Sequence, residues 1–117
     1  IGQSYGQTNQ PEKAELQFKQ TLNKAESLYG GFSLPAGMVR DALGAHYGLL
    51  NKYDASIKAF QRARVVHEVR LGKLHPRTIE TRLNQAVAFL DMNKEDEAKA
   101  QLEALAALIR PMWAIEE

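Results

Sequence analysis

The fold of this chain is decided by the sequence LGAHYGLLNKYDASIKAFQRA, residues 43–63. It holds two runs with the apolar spacing of helices, and Asn51 stands at the turn between them. A shift of 42 residues returns the same pattern, because 47 − 5 and 89 − 47 both equal 42 and all three positions are aromatic. Similarity at a fixed period predicts a tandem array of helix pairs.

Five columns keep residue size or type in all three copies of the pattern, and each has a physical reason. Small residues let two helices approach closely, and an aromatic ring fills the space beside them. Asparagine tolerates the left-handed backbone conformation in which a helix ends. The columns are Gly2/Gly44/Ala86, Tyr5/Tyr47/Phe89, Asn9/Asn51/Asn93, Ala14/Ser56/Ala98 and Phe18/Phe60/Leu102.

Turn-forming and capping residues predict where the helices begin and end. The expected starts are at Pro11, Pro35, Asp54 and Pro76, and the expected ends at Gly30–Gly31 and Gly72. No segment alternates with period two, so no strand is expected. The predicted helices are at 1–8, 11–29, 36–50, 54–71, 77–92 and 95–109, and a short turn of helix is allowed after Pro111.

The composition is that of an ordinary soluble globular chain, with 44% hydrophobic and 25% charged residues. No run of eighteen apolar residues and no secretion-signal pattern is present, and we expect a cytoplasmic location. The absence of cysteine excludes disulfides and thiolate metal sites. A net charge of +1 argues against a dedicated nucleic-acid-binding protein.

Residues that could carry catalysis are few. None of His46, His67 and His75 lies four residues from another, so the spacing of a zinc site is missing. We expect His75, in a His-Pro turn, to cap or contact the preceding helix. The acids Glu95–Asp96–Glu97 fit the first turn of a helix, where they meet the positive end of its dipole. We therefore predict no enzyme, no metal and no cofactor.

The residues Leu43-Gly44-x-x-Tyr47, followed by Tyr53-Asp54-x-Ser56-Ile57-x-x-Phe60-x-x-Ala63, resemble the tetratricopeptide repeat motif. The stretch Leu71-Gly72-Lys73-Leu74-His75-Pro76, continuing through Leu83-Asn84-Gln85-Ala86, is similar to the longer variant found in kinesin light chains and common in bacterial signalling and regulatory proteins. The resemblance implies an all-α superhelix of stacked antiparallel helix pairs with about two and two-thirds repeats. We expect one domain, a fragment of a longer protein, with a partial repeat at 1–35 and repeats at 36–76 and 77–117.

Arrays of this kind line an inner groove with the first helix of each pair, here 36–50 and 77–92. We predict that this groove holds a peptide or helix of a protein partner, of basic or neutral character. The resemblance implies that Asn84 hydrogen-bonds the ligand backbone, and a plain polar surface role is the alternative. The predicted binding residues are Met38, Asp41, Ala45, Leu49, Glu80, Asn84 and Val87.

Two other functions stay open at this point. Residues 58–82 carry a local charge of +5, from seven Lys or Arg against two Glu, and could bind an acidic partner or, less in keeping with the composition, nucleic acid. The array could also self-associate or space other domains of a signalling or transcription-regulatory protein. The basic patch consists of Lys58, Arg62, Arg70, Lys73 and Arg77.

Overall fold

The computed structural model describes the backbone of residues 2–114 and the side chains of residues 11–111. Its helices are α1 (Gly2–Tyr29), α2 (Leu34–Leu49), α3 (Tyr53–Leu71), α4 (Pro76–Asp91) and α5 (Glu95–Ala114). Each helix packs against the next along the chain, and α2 also contacts α4. No strand occurs within residues 2–114. The predicted all-α repeat fold is confirmed.

The molecule is elongated, as expected when helix pairs contact only their neighbours. Its principal extents are 59 × 37 × 21 Å, and its radius of gyration is 16.2 Å. A compact domain of the same length would have a radius of gyration of about 13 Å. The array therefore grows along one axis and exposes long helix faces on its sides.

Two turns that lie 42 residues apart have the same structure. Asn51 and Asn93 adopt left-handed backbones, with φ of 61° and 62°. The next backbone N–H, of Lys52 or Lys94, donates to a carbonyl five residues earlier at 2.9 Å in both turns. This is the Schellman arrangement, which satisfies the last carbonyls of a helix. The asparagine column is confirmed at these two positions.

The first copy differs from this pattern, because α1 is one continuous helix where two were predicted, at 1–8 and 11–29. Asn9 and Pro11 both lie inside it. Pro11 removes one helical hydrogen-bond donor. However, a separate helix of eight residues would be too short to persist without strong packing. Extending a long helix requires no second nucleation, so the interruption is tolerated. In the same way, α5 continues through Pro111 to Ala114 instead of ending at 109.

The starts of α2, α3 and α4 are close to those predicted, but their caps differ in detail. Ser33 caps α2, its Oγ accepting from the Ala36 N–H at 3.3 Å. His75 caps the helix that follows it, since its Nδ1 accepts from the Arg77 N–H at 3.1 Å, and its backbone N–H donates to the Gly72 carbonyl at the end of α3 at 3.3 Å. Asp54 does not cap α3 but lies within its first turn, where its charge meets the helix dipole favourably.

The core of the α2–α3 pair is built on Gly44. A Cβ atom there would lie 2.7 Å from two ring carbons of Phe60, which is 4% exposed. Ser56, fully buried on α3, donates its hydroxyl to the Gly44 carbonyl at 2.7 Å. The ring that fills the space beside Gly44 is therefore that of Phe60 on the partner helix. Tyr47, the aromatic residue on the same helix as Gly44, is only half-buried. The side chain of Tyr5, in the first copy, lies outside the described residues.

Candidate functional site

A groove of about 230 Å³ lies between α2 and α4, with residues of α3 at its base. Gly44 and Gly48 of α2 leave room for it, because neither carries a side chain that would fill the space beside the buried Phe60 and Ser56. Its shape therefore follows from the small-residue column of the repeat. The lining residues are Gly44, Ala45, Gly48, Leu49, Ser56, Phe60, Asn84, Val87, Ala88 and Asp91.

Four residues predicted for binding lie together in this groove: Ala45 and Leu49 on α2, and Asn84 and Val87 on α4. Leu49 is 83% exposed and Val87 is 52% exposed, so each of the two helices has an apolar side chain exposed to solvent at the groove. Apolar surface left exposed around a concavity is typical of a binding site. Asn84 adds an amide that can both donate and accept hydrogen bonds.

Asp41, also predicted to contact a ligand, already has partners within the chain. Its Oδ2 is 2.8 Å from His67 Nε2 on α3, and Thr81 Oγ1 on α4 donates to it at 2.8 Å. The His67 and Thr81 side chains are fully buried. This carboxylate therefore links α2, α3 and α4, and a change at Asp41 tests the fold before it tests a ligand.

Met38 and Glu80, the remaining predicted residues, are exposed on α2 and α4 but do not line the groove. The lining residues that were not predicted for binding are Gly44, Gly48, Ser56, Phe60, Ala88 and Asp91. Asp91 could have been found from the repeat itself, since 91 − 42 is 49 and Leu49 was already on the predicted surface. Among the described residues of the lining, Asp91 is the one that carries a charge, and it gives this groove a negative side.

Arg82 is a buried cation outside the groove, 5% exposed. Its Nη1 is 3.8 Å from Glu68 Oε2, and its Nε has no hydrogen-bond partner within the described residues. Burial lowers the pKa of the Arg82 guanidinium, the nearby charge of Arg64 lowers it further, and Glu68 opposes the shift. Arg82 thus connects α4 to α3 and is not available to a partner.

The predicted basic patch is divided by the fold. Lys58 and Arg62 lie together on one exposed face of α3. Arg70 instead donates from Nε to the Phe32 carbonyl at 3.0 Å, with its guanidinium 5.8 Å from the centre of the Phe32 ring. Lys73 lies in the α3–α4 turn and Arg77 in the first turn of α4. Only the first two share one surface of α3.

Groups suited to catalysis are sparse in the described part of the chain. Within it, no three His, Asp or Glu side chains lie close enough to hold one metal ion. The acids Glu95–Asp96–Glu97 are exposed in the first turn of α5, where they were predicted. None of the helices between residues 2 and 114 has the length and apolar character required to cross a bilayer.

Comparison with known proteins agrees with this geometry. The family model described as "Tetratricopeptide repeat" matches residues 34–110, from the start of α2 into the last turns of α5. A search of the curated proteins finds no match to this sequence. The matched segment covers more than half of the chain and contains the α2–α3 pair, α4 and most of α5. The chain belongs to the tetratricopeptide repeat family.

Proposed function

We propose that the groove between α2 and α4 binds a peptide segment or helix of a partner protein. Tetratricopeptide repeats are generally protein-interaction modules and are generally not catalytic. The observation that carries the proposal for this chain is the pair Leu49 and Val87. They are 83% and 52% exposed on facing helices, at the walls of one concavity. Burying them against a ligand would remove this apolar surface from water.

The partner segment is apolar with neutral or basic flanks. The described part of the lining has one charge, the carboxylate of Asp91, and no Lys or Arg. An acidic segment would meet this carboxylate without a compensating cation, which disfavours it. Asn84 supports binding of an extended backbone, because its amide can pair with a peptide N–H and C=O. We propose no catalytic role for the chain, and the cytoplasmic location and the role in signalling or regulation stay predictions.

A peptide panel tests this proposal. Fluorescent peptides of about 12 residues would share one apolar pattern and carry Lys, Ser or Glu at the flanks. We expect the Lys and Ser peptides to bind more tightly than the Glu peptide. Leu49→Glu and Val87→Glu should each weaken binding of the Lys peptide by more than about tenfold by anisotropy, because a charge would occupy the apolar wall.

The matched control is Leu28→Glu, which makes the same change at an exposed leucine of α1, 63% exposed and outside the groove. It should change affinity less than about twofold. Asn84→Leu separates the two roles of that residue: loss of affinity supports backbone recognition, and no change supports a plain surface role. If both Leu49→Glu and Val87→Glu bind the peptides as the wild type does, the groove is not the site.

The self-association and spacer roles considered from the sequence are tested by light scattering across a concentration series. A strictly monomeric chain at all concentrations would count against self-association.

A further inference from the structure

A second surface, on the exposed side of α3, has the features of a docking site. Lys58, Arg62, Val65 and Val69 follow one another at spacings of four, three and four residues, so they lie along one face of the helix. All four are exposed, and Val65 and Val69 are 45% and 65% exposed. With Gln61 between the two cations, these residues form what we call the α3 outer face.

The two cations form no ion pair with an acid among residues 11–111. Among the described side chains, neither Lys58 nor Arg62 has a carboxylate oxygen within 4.0 Å. Asp54 is one turn before Lys58 on the same face but forms no salt bridge with it. Charges without partners, beside exposed valines, give a surface that is both positive and apolar.

Two concavities adjoin this surface. One of about 270 Å³ is lined by Lys58, Gln61, Arg62 and Val65. The other, of about 250 Å³, lies where α1 and α2 meet α3 and contains Leu22, Leu43 and Ala59, again with Lys58 and Arg62 at its edge. The groove between α2 and α4 uses other residues of α3, Ser56 and Phe60. The two surfaces therefore share no residue.

The repeat scaffold does not account for this surface. The positions 42 residues earlier, on α1, hold Leu16, Gln20, Asn23 and Ser27, and those 42 residues later hold Ala100, Ala104, Ala107 and Pro111. A face that served only to keep the array in water would carry polar residues and would have no need of two exposed valines. The combination of cations and valines is particular to α3.

We propose that the α3 outer face docks an acidic amphipathic helix of a partner protein. The face extends over the twelve residues 58–69, or about 18 Å of helix, which just over three turns of a partner helix would cover. Glutamate or aspartate on that helix meets Lys58 and Arg62, and its apolar stripe covers Val65 and Val69. Two unpaired cations would contact only about two phosphates, too few for strong binding of nucleic acid.

The test uses a fluorescent peptide of about 15 residues with Leu at helical spacing and Glu on either side of the stripe. A scrambled peptide of the same composition and a single-stranded oligonucleotide serve as probes for unspecific charge binding. Anisotropy should show binding of the acidic peptide below about 1 mM, weaker as salt rises and weaker still for the scrambled peptide. No binding of the ordered peptide, or tighter binding of the oligonucleotide, would overturn the proposal.

Charge reversal locates the site. Lys58→Glu with Arg62→Glu should weaken the acidic peptide more than about tenfold, and should create binding of the Lys-for-Glu version of that peptide. Both side chains are exposed and form no ion pair with any described residue, so the fold should be unaffected, which circular dichroism checks. The matched control, Lys99→Glu with Arg110→Glu on α5, changes the net charge equally and should have less than about a twofold effect. Equal loss in both double variants would show nonspecific attraction and refute the docking site.

A separate double variant tests the contribution of the two exposed valines to the proposed docking. Val65→Ser with Val69→Ser should weaken the acidic peptide about three- to tenfold while leaving the slope of affinity against salt unchanged. Leu49→Glu, in the other groove, should have no effect on this peptide, so the two proposals fail or stand separately. Unchanged affinity in the double serine variant would reduce the surface to a plain cationic patch and overturn the helix-docking proposal.

Discussion

Substituting Gly44 by alanine measures the close packing on which this fold depends. An added Cβ would lie 2.7 Å from two ring carbons of Phe60. Unstrained carbon contacts are about 3.5–4.0 Å, so ring and helix must separate by roughly 1 Å. Overpacking of this kind costs about 1–3 kcal/mol. Alanine also improves the helix by about 1 kcal/mol. We expect Gly44→Ala to lower the free energy of unfolding by up to about 2 kcal/mol.

Gly48→Ala is the internal control for this effect. It lies one turn later on α2, and its added Cβ would meet only Ser56 Oγ, at 3.5 Å. The helix-propensity gain is the same without the clash, so Gly48→Ala should raise the free energy of unfolding by about 0.5–1 kcal/mol. The difference between the variants, about 1–3 kcal/mol, then isolates the contact with Phe60.

Urea unfolding followed by circular dichroism provides the measurement, with equal m-values required for the comparison. In a Phe60→Leu background the clash is relieved, so the effect of Gly44→Ala should shrink by about 1 kcal/mol or more. Equal stabilities of Gly44→Ala and Gly48→Ala would refute the reasoning. So would full additivity with Phe60→Leu.

Three further predictions concern charged and polar groups. Replacing Arg82 by Met should leave the free energy of unfolding unchanged or raise it by up to about 2 kcal/mol. The substitution replaces a buried cation, whose Nε has no hydrogen-bond partner among the described residues, with an apolar side chain of similar size. Urea unfolding measures this change in free energy. Asp41→Ala should destabilise the chain by about 1–3 kcal/mol in the same assay, since the buried His67 loses its partner. A hydrogen bond from Lys19 is the main cause that lowers the pKa of Glu15. The ionised Glu15 carboxylate therefore stabilises the fold at neutral pH, and this stabilisation is lost as pH falls through the lowered pKa of Glu15. The difference in melting temperature between the wild type and Glu15→Gln should accordingly vanish in acid.

The helix pairs could be predicted because the residues that end and join them act locally. Asn51 and Asn93 adopt the left-handed turn that their side chains tolerate, whatever lies around them. Pro11 was misleading for the opposite reason. Its ring permits both a helix start and an interior position at the loss of one hydrogen bond, and the surrounding helix decides between them.

For the candidate site, the sequence predicted which side of its helix a residue lies on, but not which partners it contacts. The spacing of Leu49 and of Val87 placed them toward solvent on their helices, and they are exposed there. Asp41 has the same kind of spacing, yet its carboxylate is bonded to side chains of two other helices. The hydrogen bonds that form where three helices meet depend on the relative positions of the helices. The periodicity of the sequence carries no information about these positions.

The carboxylate of Asp41 also has a consequence for how the array opens. Stacked repeats that contact each other only through apolar side chains can unfold from one end, and each helix pair then has its own free energy of local unfolding. Here separation of the α4–α5 pair breaks the hydrogen bond from Thr81 to the Asp41 carboxylate, which also contacts the buried His67. Neighbouring pairs are thereby coupled, and amide hydrogens of α2, α3 and α4 should exchange in one cooperative opening.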